Sequence, residues 1–258
     1  MNENGEILAQ ATGENRVFLE YKNEYKPGDV ICLSSDQEGC HILTQLEDSL
    51  VPTCGFLAKQ ATFPIPFGDR RICYSPKAFT GNWHLLWARI ATPEEIYTRR
   101  NLALNPLDCH ANQGLYPHAF ANVETRGEAS FEARNAIDGI FANVGHGVYP
   151  YSSWGINQDP NAALTIDFGT DVVIDQIGIT LRNDFPHDNW WESAVVRFDD
   201  GSSETLSLEK VAYPQYTQIK PRKVRRATLE QLIKCPDDPS PFPALTQIEL
   251  WGCVWREL

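Results

Sequence analysis

The chain has 258 residues, 42% of them hydrophobic and 11% aromatic, which allows one large domain or two ordinary ones with real cores. Its formal charge of −12 would repel nucleic-acid phosphates over most approach directions, so nucleic acid is not an expected partner. No run approaches the ~20 apolar residues needed to cross a bilayer, and residues 1–15 are polar without the basic start and apolar centre of a secretory leader. The expected setting is therefore cytoplasmic and off the membrane, or extracellular if a leader has been removed.

Strand patterns come first along the chain. Residues 16–21 (RVFLEY), 29–35 (DVICLSS), 41–48 (HILTQLED) and 54–67 read as β segments, and 82–91 (NWHLLWARIA) as a fifth. Turn residues such as Pro27, Gly28 and Asp29 separate them. In the fifth segment Trp83, Leu85 and Trp87 share one face, with His84 and Leu86 on the other. Thr92-Pro93-Glu94-Glu95 then opens a short helix: a threonine cap, proline at the first position, and glutamate three residues after the cap. The chemistry changes here, so a boundary is placed between a domain of residues 1–98 and a second of residues 99–258.

The second part is strand-rich again. Residues 164–169 (LTIDFG) and 172–182 (VVIDQIGITLR) alternate apolar and polar positions, 194–198 runs into the turn Asp199-Asp200-Gly201, and 205–208 resumes. Residues 228–234 read as one or two helical turns opened by Thr228 with Gln231 three later, and 245–252 (LTQIELWG) closes the pattern. With no long amphipathic helix between strands, a parallel βαβ sheet is not expected. The expected fold is all-β, two tandem antiparallel β-sandwich (jelly-roll) domains.

The cysteines number seven, an odd count without a CxxC pair, and read as reduced thiols rather than a disulfide or zinc framework. The basic stretch Lys220, Arg222, Lys223, Arg225 and Arg226 reads as a solvated strand offsetting acidic neighbours. Its alternative is a seat for an acidic sugar or a partner's carboxylates.

Four segments of the second part, Asn101-Leu102-Ala103, residues 133–139 (ARNAIDG), residues 166–169 with 172–182, and residues 247–252 (QIELWG), occur in an order that resembles the discoidin-like family. That family is also called coagulation-factor C-type or galactose-binding-like, and includes many bacterial carbohydrate-binding modules. The likeness covers residues 99–254. It implies an eight-stranded jelly roll with a ligand site among loops at one end. It also implies a structural calcium held by the Asp138 carboxylate and by backbone carbonyls around Ala136, with Glu249 closing the site; calcium takes six to eight hard oxygens of this kind. An insert at residues 140–153 separates Asp138-Gly139 from Trp154, where the family keeps a shorter spacing.

The loop candidate is residues 183–193, NDFPHDNWWES, between two strands. Adjacent aromatics on a strand face opposite ways, so Trp190 or Trp191 is expected to be bare and to offer an indole platform to a sugar ring. Arg182, His187, Asp188 and Asn189 would supply directional hydrogen bonds, with His146 and Trp154 approaching the same end. The expected partner is a mono- or oligosaccharide bound without catalysis, and self-association stays open. No GxSxG, HExxH or phosphate-cradling glycine loop is present. A glycan lyase or hydrolase using Asp184, Asp188 or Glu192, and a protein–protein adaptor, remain the alternatives.

Overall fold

A computed structural model describes residues 1–187 and 189–256 of the chain. The strands of the first part are β1 (Arg16–Tyr21), β2 (Val30–Ser34), β3 (Cys40–Gln45), β4 (Thr53–Leu57), β5 (Gln60–Pro64) and β6 (His84–Ile90). A single-turn helix, α1 (Pro93–Tyr97), follows. Thr92 and Glu95 form the reciprocal capping box that their spacing predicts. The second part contributes β7 (Arg100–Asn101), β8 (Leu115–Tyr116), β9 (His118–Ala121), β10 (Trp154–Gly155), β11 (Leu164–Leu181), β12 (Trp191–Phe198), β13 (Ser203–Ser207), β14 (Gln215–Lys234) and β15 (Ala244–Val254). The pairings are antiparallel, as the all-β reading expects.

β1, β6, β3, β4 and β8 form one sheet in that order, faced by the pair β2–β5. The alternation in β6 is as the sequence reads: His84, Leu86 and Ala88 are buried while Leu85 stays outside. The edge strand β8 comes from beyond residue 98, and the core beneath this sheet takes Leu107, Leu115 and Ala129 from the second part. Arg134 joins the two parts further. It is buried, donates through Nε to the Asp108 carbonyl at 2.9 Å, and lies 4.5 Å from the centre of the Tyr74 ring.

The larger sheet runs β10-β15-β11-β14-β12-β13, with β7 on β15 and β9 on β11. β11 serves both layers. Its first residues, Leu164 to Asp167, pair with β9; after a register break, Val172 to Leu181 pair with β15. The break falls at Gly169, whose φ of +68° suits glycine, and a Cβ there would come within 2.4 Å of the Tyr116 ring. A second core fills the interior, including Ile166, Ile174, Ile177, Ile179, Val196, Phe198, Ile248 and Leu250.

Residues 228–234 are not helical turns; they lie inside β14. Gln231 sits in a bulge at φ +51°, so Leu229 and Leu232 both point inward three residues apart. That spacing imitates a helix face, and the extra residue of the bulge is its cause. The basic stretch on β14 carries ion pairs from Arg222 to Glu204, Lys223 to Asp171 and Arg226 to Asp167, which is the solvated-strand reading. The seven cysteines are all free. No helix among the described residues is long and apolar enough to cross a membrane.

Candidate functional site

The strand ends of the larger sheet present loops at residues 141–151, 182–190, 209–214 and 235–243. Backbone and buried amide bonds gather them. Asn143, itself buried, donates through Nδ2 to the carbonyls of Leu181 at 2.8 Å and Ala212 at 2.9 Å, and its own carbonyl accepts from the Asn183 amide at 2.7 Å. Arg182 donates through Nη2 to the carbonyls of His187, at 2.8 Å, and Phe242. Asn189 donates through Nδ2 to the carbonyls of Cys235, Asp238 and Ser240. These are buried polar side chains satisfied by loop carbonyls, which is how irregular backbone is held without a ladder.

That arrangement revises the roles expected of several residues. Arg182 and Asn189 are buried and brace the loops from beneath instead of facing a ligand. Trp191 is 0% exposed, because it is the first residue of β12 and its side chain enters the core, 6.3 Å from the ring of Trp154. Trp154 is 0% exposed as well, with Nε1 donating to the Val123 carbonyl at 3.0 Å. Neither ring can lie against a sugar. Trp190, one residue before β12 begins, is half-buried against the edge of the same core with the Lys210 ammonium 5.6 Å from its ring centre. Asp188 lies outside the described residues.

His146 and His187 are exposed, as a ligand-facing role requires. The His146 Nδ1 contacts the Asp184 carboxylate, and the two imidazoles stand 5.2 Å apart at 77°. Three exposed rings that the sequence reading passed over lie on loops tied to theirs: Phe185 at 85% exposure, Tyr213 at 64% and Phe242 at 43%. Their loops are the ones tied together by Asn143 and Arg182. A signal was available, since each ring precedes a proline, in Phe185-Pro186, Tyr213-Pro214 and Phe242-Pro243. Proline removes a ladder donor and keeps its predecessor extended, so an aromatic before proline tends to be held out of a sheet.

The calcium expectation can be set against the residues of the 133–139 turn. Asp138 is buried; its Oδ1 accepts from the Ile140 amide and from Gln247 Nε2, both at 2.8 Å, while Oδ2 is buried with no hydrogen-bond partner. Ala136 is wholly covered in the same turn. Glu249 does not close this site: its carboxylate accepts from the Tyr216 hydroxyl at 2.8 Å. Gln247 does. Its Nε2 donates toward Asn135 O at 2.7 Å, Thr246 O at 2.7 Å and Asp138 Oδ1, while its Oε1 accepts from the Gly139 amide at 3.0 Å. Reversing the amide would set oxygen against three oxygens and nitrogen against an N–H, so this orientation is fixed by its neighbours. An N–H donor thus occupies the centre of the oxygen cluster, and the donor set as it stands does not fit a calcium ion.

Burial raises the Asp138 carboxyl to about 6, against the opposing pull of the Arg134 guanidinium. A folded-state value above the unfolded one means that the protonated acid favours the fold. This contribution is fully present below about pH 4 and is lost as pH rises through about 6. Asp138→Asn is therefore expected to remove a stability gain on the order of 2–2.5 kcal/mol that this carboxyl supplies between pH 7 and pH 4. Urea unfolding at the two pH values checks it; an unchanged pH slope would refute the assignment.

No protein-family model and no curated protein matches the chain. Solved structures similar to it are carbohydrate-binding modules, the class of protein that the sequence resemblance names. Chitosan-binding module 1 from a chitosanase/glucanase of Paenibacillus sp. IK-5 is 16% identical, covering 59% of this chain and 99% of that one, with a TM-score of 0.41. The family 32 module of C. perfringens NanJ, solved in complex with galactose, is 17% identical over 52% of this chain and 92% of that one, with a TM-score of 0.40. A fucose-binding module of Streptococcus pneumoniae is 13% identical over 62% and 99%, with a TM-score of 0.42. With TM-scores below 0.5 in all three, the sugars named are those of the other proteins, and the fold described above stands on this chain's own strand pairing.

Proposed function

We propose that the protein is a non-catalytic carbohydrate-binding module whose site is the loop end carrying His146, Asp184, Phe185, His187, Tyr213 and Phe242. The observation behind this is that the exposed aromatics Phe185, Tyr213 and Phe242 lie on loops whose backbones are tied to one another and to the loops of His146, Asp184 and His187. A pyranose has apolar faces that lie against aromatic rings, and hydroxyls that need fixed donors and acceptors beside them. Imidazole and carboxylate supply both kinds of group. The scaffold beneath is rigid because Asn143, Arg182 and Asn189 satisfy the loop carbonyls, and a pre-ordered site loses less entropy on binding.

Open sites of this kind bind at about −4 to −8 kcal/mol, in the millimolar to micromolar range. A glycan array probed with the whole chain tests the proposal, followed by titration of the best ligand. Phe185→Ala and Tyr213→Ala should each weaken that ligand about tenfold, the equivalent of losing one aromatic contact on the order of 1–1.5 kcal/mol, without changing stability. Retention of no glycan, or full affinity in both variants, would remove this reading.

A further inference from the structure

His146, Asp184 and His187 each offer a ligand atom, and the three atoms lie within 4.8 Å of one another; no other such group of histidine, cysteine and acidic residues occurs among the described residues. We infer that they form a binding site for one divalent transition-metal ion of the zinc class. These three side chains are also the polar groups of the carbohydrate reading; the inference goes beyond it, because zinc uptake is measured without any sugar and stands or fails apart from glycan binding.

The donor set decides the kind of ion. Two imidazole nitrogens and one carboxylate oxygen suit zinc and its first-row neighbours, whereas calcium wants an all-oxygen shell of six or more. Zinc bonds of about 2.0–2.2 Å in a tetrahedron place the ligand atoms roughly 3.4 Å apart. His146 Nδ1 and Asp184 already touch, and no ligand atom of the three is more than 4.8 Å from another, so reaching that spacing takes a side-chain rotation of His187. The rotation is open to it because its imidazole, like that of His146, is solvent-exposed. Three protein ligands leave the fourth position to water or to an incoming oxygen ligand.

The backbone beneath these side chains is more constrained than an exposed cluster would normally be. The His187 amide donates to the Asp184 carbonyl at 2.7 Å, and the His187 carbonyl accepts from buried Arg182 at 2.8 Å. The bond from the Asn183 amide to the Asn143 carbonyl, at 2.7 Å, ties the loop of His146 to that of Asp184 and His187. Ligands 38 residues apart in sequence are thereby held on one frame before any ion arrives.

Isothermal titration of the whole chain with zinc chloride, and separately with calcium chloride, tests the site. One zinc per chain is expected, with no calcium uptake here. His146→Ala and Asp184→Ala should each weaken zinc by at least about tenfold, since even outer-shell changes cost that much. His110→Ala, which removes an imidazole paired elsewhere with Glu124, should leave zinc binding unchanged. Because the chain has free thiols, the cobalt(II) complex is examined in the near ultraviolet; a spectrum without sulfur-to-metal charge transfer is expected. Absence of zinc uptake would overturn the site, as would uptake that survives both substitutions or shows thiolate ligation.

Discussion

Trp191→Ala is expected to destabilise the protein by about 3–5 kcal/mol, the usual cost of deleting a fully buried tryptophan. The ring is wholly covered, lies near Trp154, and sits at the strand start that pairs with Lys234 of β14. Its removal would leave a hole between β12 and the core that rigid strands on both sides cannot close. In a domain of this size that is a fall in Tm of roughly 6–20 °C. Trp190→Ala should cost only about 1–2 kcal/mol, because that ring is only partly covered, packing on the core edge with the Lys210 ammonium beside it. Thermal and urea unfolding of the two variants side by side gives the comparison. Equal losses would mean that the inward and outward assignments are wrong. Any loss of glycan binding in Trp191→Ala at a temperature where the variant remains folded would return that ring to the ligand site.

Gln247→Glu is the second substitution expected to have a large effect, and its size depends on calcium. The native amide nitrogen satisfies Asn135 O, Thr246 O and Asp138 Oδ1 together. A carboxylate in its place would set negative charge against two carbonyls and a second carboxylate, all buried. Leaving a buried charge uncompensated costs about 3–5 kcal/mol. The same change completes an oxygen-only cluster, with the partnerless Asp138 Oδ2 available as a further ligand. Calcium should then rescue the variant, by about 2.7 kcal/mol at a hundred times its dissociation constant. The native protein should show the same Tm in calcium and in EDTA. A native Tm that falls in EDTA and recovers with calcium would show that the amide does not fill this place.

Much of the fold could be read from residue alternation. The bounds of β1 are those of RVFLEY, and β6 buries the face that its pattern sets apart. Thr92 and Glu95 define the start of α1 because a capping box is closed within four residues and needs no distant partner. Reading failed where a long-range neighbour changed the local count. The bulge at Gln231 turned a strand into an apparent helix face. The two strands expected on either side of Gly169 are one continuous β11, which passes the Tyr116 ring there with no room for a Cβ.

For the candidate site, composition drew attention to the loop of residues 183–193, but it did not tell that Trp191 and Trp154 are buried. A pair of tryptophans carries no mark of which one enters the core, since that depends on the strand register set by β14, far along the chain. Local pattern was enough for strands such as β1 and β6, for the helix cap at Thr92 and for the break in alternation after Leu181, because each depends on near neighbours. Only the tertiary structure decided that Trp191 is core, that Gln247 takes the centre of the Asp138 turn, and that His146 meets Asp184. Those three outcomes rest on pairings across 38 residues or more, and nothing local encodes them.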